Sequence, residues 1–187
     1  MASAFSHAVA ALALGSFIRW NRPPFKYWFA GALCAAAPDF DSIGFAFGIR
    51  YGDVFGHRGF THSLLFAVLL GVAVTGLCFR TEIRDGRGAR VCAYLILATA
   101  SHGLLDAITN GGLGVAFFSP FDTARYFFPF RPVVVSPINV VRFLQGRGLR
   151  VMASELLWIW LPALAAAGIA EAVRLAVSAR RSGKPAP

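Results

Sequence analysis

The 187 residues are 57% hydrophobic and only 14% charged, and they carry a formal net charge of +9. Soluble domains average about 45–50% apolar and about 25% charged residues, so the composition favours a membrane protein. The basic residues lie between apolar runs, where membrane-flanking arginines are expected, and we therefore predict no nucleic-acid partner.

Apolar runs predict five helices, at residues 5–19, 26–38, 60–79, 91–109 and 153–177. The first two are short for a span of about 20 residues, so they are either partly re-entrant or completed by neighbouring turns. Residues 110–152, rich in Gly, Pro, Phe and Arg, predict a long lid-like segment at the membrane interface. No stretch resembles an interdomain linker. The predicted fold is an all-α, polytopic membrane bundle of about five helices, forming one domain over residues 1–187.

The alternation of five helices divides the 18 Lys and Arg residues between two faces. Eleven belong to one face: Arg19, Arg22, Lys26, Arg80, Arg84, Arg87, Arg90, Arg174, Arg180, Arg181 and Lys184. Seven belong to the other: Arg50, Arg58, Arg125, Arg131, Arg142, Arg147 and Arg150. The positive-inside rule assigns the larger set to the cytoplasm, so the second face is predicted to be extracytoplasmic.

Five ionisable residues are predicted to lie at similar depth in the membrane. At about 1.5 Å per residue from the basic helix ends, His7, Asp39, His62, His102 and Asp106 lie about 18 to 27 Å away. In a hydrocarbon core about 30 Å thick, all five fall in the outer half. His102 and Asp106 are also spaced i, i+4, which places them on one helix face. We expect these side chains, from four helices, to meet.

Imidazole and carboxylate groups together suit a divalent transition metal. The stretch "HRGFTHS" contains His57 and His62, and "APDFDS" contains two aspartates on a turn that Pro38 begins. The candidate ligands are His7, Asp39, Asp41, His57, His62, His102 and Asp106. They suffice for one or two ions, with zinc expected and manganese or iron as alternatives. Two-metal centres usually hydrolyse phosphoester or amide bonds.

Each candidate also has a structural interpretation. His7, near a chain end, would lie among headgroups. The histidines of "HRGFTHS" would bond to backbone carbonyls, and the aspartates of "APDFDS" would cap a helix. His102 and Asp106 would form a buried ion pair between helices. The common depth of the residues favours the metal site over these separate explanations.

Four motifs occur in order between residue 5 and about residue 120: "SHAVAALALG", "APDFDS", "HRGFTHS" and "SHGLLDAITNGG", followed by "FSPF". In these motifs the sequence resembles the YdjM-like, membrane-bound, metal-dependent hydrolases of bacteria. The resemblance implies a multi-helix inner-membrane protein with a metal-assisted hydrolase site at the seven candidate ligands, and it implies no particular substrate. The order of ligands is also similar to zinc-dependent phospholipase C, but the later HxxxE of that family is absent.

We therefore predict an enzyme of the bacterial inner membrane, a metal-dependent hydrolase that cleaves a phosphoester of a lipid or lipid-linked substrate with activated water. A site in the outer half of the bilayer is reached laterally, which favours a lipid. The candidate catalytic residues are Asp41, Asp53 and Arg58. The candidate substrate-binding residues are Arg58, Thr61, Arg125 and Arg131, because arginine suits a phosphate.

Two rival classes of protein keep the same residues. A transporter or proton relay would use histidine and aspartate within its helices, but it would need ionisable groups across the whole membrane. A non-catalytic membrane protein stabilised by a metal would keep the ligands and leave no open coordination position.

Overall fold

The apolar stretches form helices in the predicted order. The computed structural model describes residues 1–18, 23–138, 141 and 143–182, with side chains as far as residue 178. The α-helices are α1 (Ala4–Phe17), α2 (Phe25–Ala36), α3 (Leu64–Cys78), α4 (Arg80–Arg84), α5 (Gly88–Ala107), α6 (Gly148–Glu155) and α7 (Leu161–Ser182). Within these residues there is no β-strand, only two isolated β-bridges. The predicted all-α class is confirmed.

The second and third predicted helices differ from the observed ones at the ends that approach the candidate site. The 12-residue α2 is continued by an 11-residue 3-10 helix, Ala37–Phe47. The short second run is thus continued by a neighbouring helical element, one of the two alternatives that its length left open. The third helix begins at Leu64 rather than residue 60, because the Ser63 hydroxyl accepts the Phe66 N–H at 3.1 Å and caps it. Residues Phe60–His62 form a separate 3-10 turn.

The last helical run is longer than predicted. A π-helical turn, Leu156–Trp160, joins α6 to α7, so the helix continues from Gly148 to Ser182. By length and apolar composition, Phe143–Ser178 and α5 are the two described helices that could cross a membrane. The large apolar side chains of α7 are exposed, at Leu161, Leu164, Ile169 and Val173 among others. So extensive an apolar surface is typical of a face in contact with lipid.

Helix α5 lies at the centre of the bundle and packs against α1, α2 and α3. The buried core between them contains Ala11, Tyr27, Cys34, Ala35, Phe79, Val91, Tyr94, Leu95 and Ala98. Glycines allow the close approach: a Cβ at Gly31 would lie 1.8 Å from the Tyr94 hydroxyl, and one at Gly71 would lie 2.5 Å from Ile96. Small residues at such contacts are characteristic of packing between membrane helices.

Successive helix ends lie on alternating faces of the bundle, as the five-helix prediction requires. The Tyr27 hydroxyl donates to the Gly15 carbonyl at 3.2 Å, which joins the start of α2 to the end of α1. The Lys26 ammonium pairs with Glu82 at 2.8 Å, which adds the end of α3 and α4 to the same face. Several basic residues of the orientation count lie outside the described residues or side chains: Arg19, Arg22, Arg142, Arg180, Arg181 and Lys184.

Residues 110–138, here called the cover segment, form ordered coil that folds back over the "HRGFTHS" loop. Val115 and Tyr126 exchange two backbone hydrogen bonds of 2.9 Å. The Leu64 N–H donates to the Phe117 carbonyl at 2.9 Å, which fixes the segment to the start of α3. Several aromatic rings are exposed on its surface, namely those of Phe118, Phe121, Phe128 and Phe130. The predicted range of 110–152 is too long, because its end belongs to the last helical run and residues 139, 140 and 142 are not among those described.

Candidate metal centre

The five ionisable residues predicted to converge do so. His7 lies in the first turn of α1, Asp39 in the 3-10 helix after α2, and His62 in the turn before α3. His102 and Asp106 lie one turn apart near the end of α5. His7, His102 and Asp106 are fully buried, His62 is nearly so, and the Asp39 side chain is 13% exposed.

Four of these residues, Asp39, His62, His102 and Asp106, form a group that we call the four-residue group. Each offers one ligand atom, and the four atoms lie within 4.8 Å of one another. The Nε2 atoms of His62 and His102 are 3.0 Å apart, and His102 Nε2 is 3.3 Å from Asp39 Oδ1. His62 Nε2 lies 3.7 Å from Asp106 Oδ2. Tetrahedral ligands at zinc bond lengths would be separated by about 3.3–3.6 Å, so the spacing suits a divalent ion.

Hydrogen bonds determine which nitrogen of each imidazole carries the proton. His102 Nδ1 lies 2.6 Å from the Ala35 carbonyl, which can only accept, so Nδ1 is the donor. His62 Nδ1 faces Asp41 Oδ2 at 3.2 Å and the Thr61 hydroxyl oxygen at 3.1 Å. That hydroxyl already donates to Asp41 Oδ2, so it accepts from His62. In the neutral form of the two rings, both Nε2 atoms therefore direct a lone pair into the four-residue group.

The ligand atoms that meet in the four-residue group are consequently all hydrogen-bond acceptors. Neither carboxylate oxygen of Asp39 has a hydrogen-bond partner among the described residues, although both oxygens are buried. Burying acceptor atoms and negative charge without a partner is costly. A bound cation removes this cost, and the mixture of imidazole and carboxylate suits zinc, manganese or iron. The residues present therefore fit the divalent metal that the sequence predicted.

Asp41 and His57 belong to a second group, which shares His62. Asp41 Oδ1 lies 2.7 Å from His57 Nδ1, and Asp41 Oδ2 accepts from the Thr61 hydroxyl and the Arg58 N–H. A carboxylate that holds the far nitrogen of a histidine is the usual outer partner of a metal ligand. In this geometry Asp41 orients His57 and His62. A second ion would have to use these same three side chains.

His7 lies beside the four-residue group. Its ring stacks on His102, with centroids 3.6 Å apart and planes 10° apart. Its Nε2 is 3.7 Å from Asp106 Oδ1, and within the described chain neither ring nitrogen has a hydrogen-bond partner. His7 thus forms one wall of the site.

Arg58 is placed differently from its predicted role as a phosphate clamp. The side chain is fully buried, with Nε 2.9 Å from Asp106 Oδ2. Its terminal nitrogens donate to the Gly111 carbonyl at 2.8 Å and to the Thr109 hydroxyl at 3.0 Å. The backbone has φ of 62°, a left-handed conformation that non-glycine residues adopt at a cost. Arg58 holds Asp106 in place, and its guanidinium is engaged by contacts within the protein.

The other predicted catalytic and substrate-binding residues lie outside the four-residue group. Asp53 accepts the Arg50 N–H at 2.9 Å, a short-range turn contact that directs its carboxylate to the surface. Arg125 donates to backbone carbonyls, including that of His57 at 2.9 Å. The Arg131 guanidinium lies over the Phe127 ring at 4.7 Å and is exposed.

Sequence reasoning missed Glu155. This residue is fully buried and accepts hydrogen bonds from the hydroxyls of Ser3 at 2.5 Å and Ser6 at 2.7 Å. The available signal was its position as the single charged residue between Val151 and Ala170. A lone carboxylate in such a run is by default a candidate for a functional role.

Gly59 is required for the shape of the loop that presents the histidines. A Cβ at this position would lie 2.2 Å from the Val54 carbonyl oxygen, whereas a Cβ at Gly52 would meet nothing within 4 Å. We expect Gly59→Ala to lower the free energy of unfolding by about 1–3 kcal/mol, the usual cost of overpacking. Thermal unfolding in detergent measures this loss, with Gly52→Ala as the control. Equal melting temperatures for the two variants would contradict the prediction.

Comparison with known proteins relates this sequence to a family. The sequence pattern of the YdjM inner membrane protein family matches residues 1–178. The inner membrane protein YbcI of Escherichia coli (strain K12) is 38% identical over 171 residues, which cover 90% of this chain and 96% of the relative. The uncharacterized protein YvsG of Bacillus subtilis (strain 168) is 37% identical over 95 residues, covering 47% of this chain and 54% of the relative. No solved structure matches.

Proposed function

The chain belongs to the YdjM inner membrane protein family, and from this premise we propose that it is a metal-dependent hydrolase embedded in the bacterial inner membrane by several helices. The proposal rests on one observation: two imidazole lone pairs and two carboxylates converge in the four-residue group, where Asp39 has no hydrogen-bond donor among the described residues. Asp39, His62, His102 and Asp106 would hold the ion.

A divalent ion in this group would supply Lewis-acid polarisation of a phosphoryl or acyl oxygen and would make water a better nucleophile. The protein fixes the geometry for that chemistry. The Ala35 carbonyl accepts the Nδ1 proton of His102, the Thr61 hydroxyl accepts that of His62 beside Asp41, and Arg58 holds Asp106. Such outer partners set ligand orientation and basicity. Asp39 has the most exposed side chain of the four, at 13%, and a substrate would reach the ion most easily beside it.

We propose a lipid or lipid-linked phosphoester as the substrate. A groove of about 280 Å³ lies between the start of α3 and the cover segment, lined by Leu64, Leu65, Phe117, Phe118, Ser119 and Phe121. It begins two residues after His62 in the chain, and its apolar lining suits an acyl or polyprenyl chain. The exposed Arg131 on the same segment suits an anionic headgroup.

A second candidate function is a non-catalytic protein that the metal stabilises. The observation in its favour is the burial of the site, where four protein ligands surround one point and only Asp39 has an exposed fraction above a few per cent. Structural metal sites are typically closed in this way, whereas catalytic sites keep one position open. If this second function is correct, removing the metal would lower the stability of the protein, and the protein would turn over no substrate.

One experiment separates these functions. Metal-loaded protein in detergent is incubated with phospholipids and polyprenyl phosphates, and the products are identified by mass spectrometry. We expect headgroup loss that a chelator abolishes and that is absent in His62→Ala. Asp122→Asn is a control, because Asp122 is exposed and bonds only locally to Ala124 and Tyr126 among the described residues. Bound metal without any turnover would favour the stabilised, non-catalytic protein, and hydrolysis of a water-soluble ester alone would reject the lipid substrate.

We also propose that the four-residue group faces the extracytoplasmic side, because eleven of the 18 basic residues belong to the opposite face. In a variant lacking the three native cysteines, Thr123→Cys on the cover segment should react with an impermeant thiol reagent in intact cells. Arg84→Cys on α4 should react only after the cells are opened. Both positions are exposed on the protein surface. The reverse pattern would move the site to the cytoplasmic side.

A further inference from the structure

Glu155 has a hydrogen-bonding environment built for a carboxylate. Its Oε1 accepts the Ser3 N–H at 2.5 Å, and its Oε2 accepts the Ser3 hydroxyl at 2.5 Å and the Ser6 hydroxyl at 2.7 Å. The residue is fully buried. A buried carboxylate is costly unless donors satisfy it, and here all three contacts are donors. The three donors therefore satisfy the carboxylate at the end of α6.

These donors belong to the chain segment that borders the four-residue group. Ala2, next to Ser3, donates its N–H to Asp106 Oδ1 at 2.7 Å. His7, next to Ser6, stacks on His102. The Trp160 indole N–H also donates to the Ser6 hydroxyl at 2.7 Å, so a second contact joins the last helical run to α1. Glu155 thus holds the chain neighbours of Ala2 and His7, the two residues that contact candidate metal ligands.

We propose that Glu155 is a positioning residue of the metal centre, which holds the start of α1 so that Ala2 orients Asp106 and His7 supports His102. The inference rests on the proposed metal site. Its distinguishing consequence is that loss of Glu155 weakens metal binding although no ligand is removed. Changes to outer partners of metal ligands typically weaken metal affinity by about 10–100-fold.

The test measures zinc affinity of the detergent-purified full chain by competition with a chromophoric chelator. We expect Glu155→Ala to bind zinc about 10–100-fold more weakly than the original protein. Glu155→Gln should bind within about threefold, because its carbonyl can accept the Ser3 N–H and its amide can donate to the two hydroxyls. Val91→Ala is the control, since it opens a cavity in the α5 core and lowers stability without contact with α6. Unchanged affinity in Glu155→Ala, or equal weakening in Val91→Ala, would overturn the inference.

Two milder variants cover the case in which Glu155→Ala does not fold. Ser3→Ala and Ser6→Ala each remove one hydroxyl donor to Glu155 and should each weaken zinc binding severalfold. Full affinity in both would overturn the positioning role. If the original protein binds no zinc, the proposed metal site fails along with the inference. Zinc binding that is indifferent to Glu155 contradicts the inference alone.

Discussion

Replacing His102 with alanine is expected to remove one metal ion per chain from the purified protein, for which we expect one or two ions. His102 Nε2 is within 3.3 Å of both His62 Nε2 and Asp39 Oδ1, so its loss removes a central member of the four-residue group. We expect the loss of one of only four ligands to weaken binding enough for the metal to be lost during purification. Elemental analysis after detergent purification gives the result directly.

The matched control is Ser101→Ala, one residue away on α5. The Ser101 hydroxyl donates to the Ala98 carbonyl of its own helix at 2.8 Å, so this change leaves the ligands in place. We expect Ser101→Ala to retain its metal. A His102→Ala protein with full metal content would refute the assignment of the four-residue group.

Asp106→Ala is expected to give the largest loss of stability, about 3–5 kcal/mol, even with a chelator present. Asp106 is fully buried and lies 2.9 Å from the fully buried Arg58 guanidinium, so its removal leaves an uncompensated buried charge. Unfolding of the protein in detergent, with the chelator at saturating concentration, isolates this loss from the effect of the metal.

The double variant Arg58→Met, Asp106→Leu provides the control for that interpretation. Replacing a buried ion pair with apolar groups of similar volume is often nearly neutral, so the double variant should recover part of the stability. If the double variant is as unstable as the sum of the single changes, the ion pair does not account for the loss. The role of the ion pair would also be contradicted if Asp106→Ala were as stable as the original protein in the presence of chelator.

The fold could be predicted because the apolar runs are long and the turns between them are polar or contain Gly and Pro. The errors occurred at helix ends, where local contacts decide the boundary. Ser63 caps α3 and separates it from the turn that contains His62, although hydropathy continues across both. The last helical run likewise extends beyond its predicted bounds of 153–177 at both ends, since it begins at Gly148 and ends at Ser182.

The candidate ligands could be predicted because residue type and helical spacing limit where histidine and aspartate are tolerated in a membrane. Their partners could not, since these contacts join distant parts of the chain. Arg58 meets Thr109, 51 residues later, and Glu155 meets Ser3, 152 residues earlier. Asp53 is the exception, because its bond to the Arg50 N–H lies within three residues of chain.

The contacts of Arg125 have a consequence for divergence within the family. This side chain joins the cover segment to residues 51–57 through the carbonyls of Tyr51, Asp53 and His57. A carbonyl is present whatever side chain the residue has, so substitution at residue 53 leaves the join intact. Residue 125 itself is constrained to be arginine. Its two terminal guanidinium nitrogens bond to separate carbonyls, and the single side-chain nitrogen of lysine cannot reproduce this forked geometry. Relatives are therefore expected to vary at the position that corresponds to 53 while keeping arginine at the position that corresponds to 125.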